Sequence, residues 1–143
     1  MGKIEIDVLD ELNKGACMGM DAIKYTLDKV EKKELHDLLE KQYEEYKSIS
    51  ERICNLYPEY SSKEPKETNA MTKMMTWYGI EMKTMIDSTD SKIAELIMQG
   101  TNMGIIEGRR LLNHKNSTEE INSLVREYVN NQEEIVENLK KFL

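Results

Sequence analysis

Two stretches of this 143-residue chain read as near copies of one another. Leu12 to Leu27 (LNKGACMGMDAIKYTL) returns 85 positions later as Ile97 to Leu112 (IMQGTNMGIIEGRRLL), which sets Gly15 on Gly100, Met18 on Met103, Gly19 on Gly104, Lys24 on Arg109 and Leu27 on Leu112. A repeat of this kind confines the fold, because the structural unit carrying the first copy must occur twice and neither unit buries its apolar face alone. A second correspondence follows each copy at an offset of 86, with Leu35 on Ile121, Leu38 on Leu124, Leu39 on Val125, Ile49 on Ile135 and Ile53 on Leu139. One extra residue in the second turn accounts for the change of offset.

The repeated unit is helical. From Leu9 the apolar and small residues fall at Leu12, Ala16, Gly19, Ile23, Thr26 and Val30, in the alternating steps of three and four that a bundle helix requires. Leu35, Leu38, Gln42, Tyr46, Ile49, Ile53 and Leu56 continue the pattern until Pro58 stops it. No strong breaker separates Val30 from Glu34, so residues 4–57 could form one rod of about 80 Å. The second copy argues for a hairpin instead, since it has an evident turn at Asn113 to Thr118 followed by a Ser117 to Glu120 capping box. A matching turn is expected near Glu31 to Lys33.

The connection between the hairpins is polar from about Glu59 to Glu67 and carries Pro65. A shorter helix is expected from about Thr68 to Ile86, and Ser88 to Ser91 offers N-cap chemistry for the next. Ile121, Leu124, Tyr128, Gln132, Ile135, Leu139 and Phe142 form the seam of the last helix. The expectation is one all-α domain: a hairpin over 4–57, a linker and crossover helix over 58–91, and a second hairpin over 92–143. Two hairpins joined by so long a connection make a four-helix bundle with one crossover.

Charge narrows the partners. Twenty Lys and Arg against 27 Asp and Glu give a formal net charge of -7, with the basic residues interleaved among acids, which disfavours nucleic acid and anionic membrane surfaces. No apolar run reaches the roughly 20 residues of a membrane span, and the acidic start MGKIEIDVLDEL lacks a secretory core, so a cytoplasmic location is expected. Cys17 and Cys54 have no His or second Cys at metal-ligand spacing and read as reduced packing thiols.

The middle of the second helix in each hairpin is polar. Gln42 aligns with Tyr128 and Tyr46 with Gln132, so the two residue types exchange places between the copies. A buried carboxamide or phenol left unpaired costs on the order of 1 to 3 kcal/mol, which is the reason to expect Gln42, Tyr46, Tyr128 and Gln132 to bond one another in a neutral buried layer. The competing reading turns them toward solvent. Each interior helical glycine costs around 1 kcal/mol relative to Ala, so Gly15, Gly19, Gly100, Gly104 and Gly108 imply close packing, with room for the Tyr46 and Tyr128 rings or for a ligand.

The layout resembles the ferritin-like superfamily. It is closer to a bacterial family within it whose two hairpins flank a middle helix bearing a Trp, then a hydrophobic residue, then Lys-Ser or Lys-Thr, represented here by Trp77, Ile80, Lys83 and Thr84. The resemblance implies a fold and no established activity, and members of that family do not share the ferritin ligand set. Di-iron relatives place Glu-x-x-His on two helices. Here Lys33 precedes His36 and Leu111 precedes His114 at that spacing, so neither His fits.

No catalytic constellation and no cofactor emerge. The functional expectation is a non-enzymatic bundle that forms a homo-oligomer, as a dimer, or binds a protein partner through an adaptable apolar surface of Met71, Met74, Met75, Trp77, Tyr78 and Met82. Core filling is the competing reading of that methionine stripe. The alternative function is a metal-binding bundle holding iron or another divalent ion on Glu40, Glu44 and Glu107, against which stands the ordinary role of such residues as solvated helix charges.

Overall fold

In a computed structural model, described over residues 2–63, 65, 81–83 and 85–143, four long helices pack around one core, with no strand among the described residues. They are α1 (Lys3–Thr26), α2 (Lys33–Leu56), α3 (Asp90–His114) and α4 (Glu119–Leu139). Residues 81–83 are also helical. The core draws on all four long helices, with Leu9, Ile23, Leu35, Leu39, Ile53, Ile93, Ile121 and Leu139 at 1% exposure or less. Complete burial of one such side chain stabilises by roughly 1.5 to 3 kcal/mol, so the three-and-four spacing of these positions drives the assembly.

Each helix boundary has a local cause. At the end of α1 the Thr26 hydroxyl donates back to the carbonyls of Ala22 and Ile23, at 3.0 and 3.3 Å, a turn of 3-10 helix follows at Leu27–Lys29, and Val30 adopts extended backbone. The turn expected near Glu31 to Lys33 therefore lies there. α2 ends at Leu56, and a 3-10 turn over Tyr57–Glu59 contains Pro58, which lacks the N–H needed to continue the helix. Thr89 caps α3 by accepting from the Lys92 N–H at 3.3 Å, and α3 starts at Asp90, two residues before the sequence-based boundary. The cap of α4 is Thr118, accepting from the Ile121 N–H at 3.3 Å. This corrects the expected Ser117 cap, since the Ser117 hydroxyl is enclosed without a hydrogen-bond partner.

Contacts between helices set their directions. Ion pairs join Arg52 to Glu127 and, at 3.8 Å, Lys41 to Glu134, so α2 and α4 run antiparallel. Gly15 of α1 lies opposite Gly104 of α3 around the Tyr128 hydroxyl, while Leu12 and Leu111 line one cleft further along, which makes α1 and α3 antiparallel as well. The turns at 27–32 and 115–118 reverse the chain within each pair. It follows that α2 and α3 point the same way, so the end of α2 and the start of α3 lie at opposite ends of the bundle.

The start of α3 is anchored by one carboxylate. Asp90 accepts the backbone N–H groups of Glu31 and Lys32, one on each oxygen at 2.9 Å, and so ties the α1–α2 turn to the start of α3. Tyr25 also reaches the Lys83 carbonyl at 3.5 Å. Met82, expected on a partner surface, is buried at 4% exposure in the core, because the chain returns here to the bundle. Met71, Met74, Met75, Trp77 and Tyr78 lie outside the described residues. Hydrogen bonds to a charged acceptor contribute more than neutral ones, so Asp90→Ala is expected to lower stability by about 1 to 2 kcal/mol in chemical denaturation. Asp90→Asn, which keeps one carbonyl acceptor, should recover part of that loss.

Candidate functional site: a neutral layer between the helices

At mid-height three helices contribute polar side chains to one point. The Gln42 amide nitrogen donates to Tyr46 Oη at 3.0 Å and Thr101 Oγ1 at 2.9 Å, and lies 3.3 Å from Gln132 Oε1. Tyr46 passes its own proton to Gln132 Oε1 at 2.6 Å, and Thr101 donates to the Ile97 carbonyl one turn back at 2.7 Å. All four residues are at most 3% exposed. The expected layer is thus assembled from Gln42, Tyr46 and Gln132, with Thr101 as an added member. Thr101 carries a sequence signal, since it stands one helical turn after the core residue Ile97, where a hydroxyl can return its proton to the preceding turn.

Tyr128 is placed differently. Its ring is buried and tilted against that of Tyr46, with centroids 6.1 Å apart at 47°, but no described residue hydrogen-bonds to its hydroxyl. Tyr128 Oη instead lies 2.9 Å from where a Cβ on Gly15 would stand and 2.8 Å from one on Gly104. Gly19 serves Tyr46 in the same way, since a Cβ there would come within 2.3 Å of the ring. A Cβ on Gly108 would meet Val129 Cγ2 at 2.4 Å. The glycines are accounted for by space: side chains from the neighbouring helix occupy the volume that an alanine methyl would need.

One acceptor in the layer is left over. Gln42 Oε1 is enclosed with no protein partner, and a void of about 10 Å³ borders Gln42, Tyr46, Thr101 and Tyr128. That volume matches a single water molecule, which would have polar neighbours to bond.

The electrostatics of the layer are those of uncharged groups. Burial pushes the Tyr46 phenol up to about 12, against the smaller opposing effect of the neighbouring Thr101 hydroxyl and Gln42 amide, and burial raises Tyr128 well above the ordinary phenol value. Both stay protonated at neutral pH, and carboxamides do not titrate. A layer of this composition offers hydrogen bonds and neutral oxygens, with no carboxylate, imidazole or thiolate among its members.

Carboxylates lie elsewhere. Asp10 is buried and accepts the Tyr57 hydroxyl proton at 2.9 Å, and Tyr57 is pushed up to about 12 by burial and by that carboxylate. Glu45, half-buried on the α2–α4 face, has one oxygen enclosed without a partner, and burial raises its pKa. Glu40 and Glu44 are exposed on α2, whereas Glu107 borders the α1–α3 cleft and is 3.9 Å from Arg110. The three candidate ligands are therefore not brought together. Sequence spacing did not group the candidate Glu40 with His36 and Asp37, yet the three cluster at the exposed start of α2, with His36 Nδ1 2.7 Å from Glu40. Lys33 already engages Asp37 there at 2.7 Å. Cys54 is exposed and Cys17 half-buried, which corrects the expectation that both thiols are packed inside.

No family model, curated protein or solved structure matches the chain.

Gly19→Ala is expected to destabilise by about 1 to 2 kcal/mol, because overpacking against Tyr46 outweighs the gain of about 1 kcal/mol in helix propensity. Gly15→Ala should cost less, since it meets only the terminal Tyr128 oxygen, and Tyr128→Phe in that background should restore stability. Thermal melts of the four proteins check both statements. The buried phenols also fix an alkaline limit. Their folded pKa values lie above the unfolded value near 10, to about 12 for Tyr46 and Tyr57, so their contribution is complete below about pH 10 and is lost as pH rises through the folded values. Tyrosinate absorbance from Tyr46, Tyr57 and Tyr128 is expected to grow only together with loss of helical circular dichroism.

Proposed function

We propose that this chain is a non-enzymatic bundle of ferritin-like layout that acts by binding, as a self-associating or protein-binding module in the cytoplasm. The observation that supports this reading most is the neutral layer of Gln42, Tyr46, Thr101 and Gln132. On this reading it stands at mid-height, where di-metal bundles bring Glu and His together from facing helices. Replacing that set by side chains that satisfy one another removes the charge that would hold an ion and gives the centre a structural role. The direction of the four helices, with α2 parallel to α3, and the internal repeat fit a duplicated hairpin with a crossover.

The surface supports an associating role. Ile4 and Ile106 are 42% and 50% exposed on α1 and α3, Ile86 is fully exposed just before α3, and the sequence places an apolar run at Met71, Met74, Met75, Trp77 and Tyr78. No helix among the described residues is long and apolar enough to cross a membrane.

Two measurements test the reading. Saturating ferrous, manganous or zinc ions should leave the melting temperature within about 1 °C, whereas binding at a hundredfold excess over Kd would add about 2.7 kcal/mol and several degrees. Light scattering should give a dimer mass for the native chain and a monomer mass for Met74→Gln with Trp77→Gln. A monomer before and after substitution would refute the associating role.

A further inference from the structure

The α1–α3 seam contains an opening that the neutral layer does not use. Between Leu12, Met18, Met103 and Leu111 lies a cleft of about 160 Å³, whose floor is formed by Gly15, Gly104 and the Tyr128 side chain. Tyr128 is 97% buried by its 3% exposure, and its hydroxyl, wedged between the two glycines, has no hydrogen-bond partner among the described residues. Its oxygen is not among the fully enclosed polar atoms, so the phenol proton faces the cleft and is left for whatever enters it. The walls are methionine and leucine, which adapt to a guest of irregular shape.

We propose that this cleft is a binding site for a small, neutral, largely apolar molecule whose single hydrogen-bond acceptor takes the Tyr128 hydroxyl proton. The size follows from the volume: an apolar cavity of about 150 Å³ accommodates benzene, so one ring with a short substituent fits. The acceptor follows from the phenol, which burial keeps protonated and therefore a donor. Neutrality follows from the rim. Lys14, the cation there, is paired with Glu11 at 3.0 Å, and Glu107 stands on the opposite wall, so an anionic guest would face two carboxylates and a lysine already engaged. Both glycines then have two functions, seating the phenol and leaving the space above it open.

Acetophenone is a probe with the required ring and carbonyl; ethylbenzene has nearly the same shape without the acceptor, and benzoate adds a charge. With methyl-labelled methionine in the full chain, acetophenone is expected to shift the Met18 and Met103 resonances saturably, with a Kd about threefold to tenfold lower than that of ethylbenzene. Benzoate should bind more weakly than either. Tyr128→Phe removes an atom with no protein partner, so the fold should persist, and in it acetophenone and ethylbenzene should bind alike. Absence of shifts at Met18 and Met103, an unchanged preference in Tyr128→Phe, or tighter binding of benzoate would overturn the proposal. So would shifts at the same two methionines produced by raising protein concentration alone, which would identify a second copy of the chain as the occupant. The dimer mass and the metal titration are read independently, so either proposal can fail without the other.

Discussion

The bundle depends on tyrosine rings occupying the places of missing methyl groups. Tyr46 from α2 fills the volume beside Gly19 of α1, and Tyr128 from α4 reaches Gly15 of α1 and Gly104 of α3, so each ring fixes the spacing of its helix from those it faces. Helix-interior glycine is unfavourable by itself, at around 1 kcal/mol each relative to alanine. The compensation is the burial of two large aromatic side chains, each able to remove 150 to 250 Å² from water. A substitution at either end of a glycine–tyrosine contact therefore acts on both.

That packing explains why the centre is polar and yet closed. A tyrosine that enters a core brings its hydroxyl with it, and the hydroxyl then needs a partner there. For Tyr46 the requirement is met by Gln132 and Gln42, with Thr101 completing the set. For Tyr128 it is not met by protein, and its oxygen comes to rest at the one seam where two glycines face each other. The difference between the two phenols is positional: Tyr46 comes from α2 and Tyr128 from α4, and their hydroxyls emerge at different places.

Much of this could be read from the residues because burial in a bundle is periodic. The seams of α1, α2 and α4 follow the three-and-four spacing, and Gln42 and Gln132 stand out as polar residues on apolar faces, which is the signal that they need one another. The glycine spacing indicated that something large had to lie against α1 and α3. What remained hidden depended on the third dimension. Nothing in the local sequence says that Asp90 will hold the α1–α2 turn from 58 and 59 residues away, or that Asp10 will meet Tyr57. Glu40, Glu44 and Glu107 look alike as letters, and only the packing separates an exposed α2 face from a cleft wall.

The contrast between Asp10 and the central layer shows what a charge in this core requires. Asp10 is buried near the start of α1, where the Tyr57 hydroxyl donates to it. In the middle of the bundle the neighbours are Leu, Ile and two rings, and an ionised carboxylate there would need several donors or a cation to offset its lost hydration. The residues present at that height are an amide, a phenol and an alcohol already committed to one another, together with one unsatisfied amide oxygen. Placing a carboxylate at Gln42 would replace the donor that joins Tyr46 to Thr101 by another acceptor, breaking the network as well as adding charge. The sequence of hydrogen bonds, each donor matched to its acceptor, is thus what makes neutrality at this level a requirement of the fold.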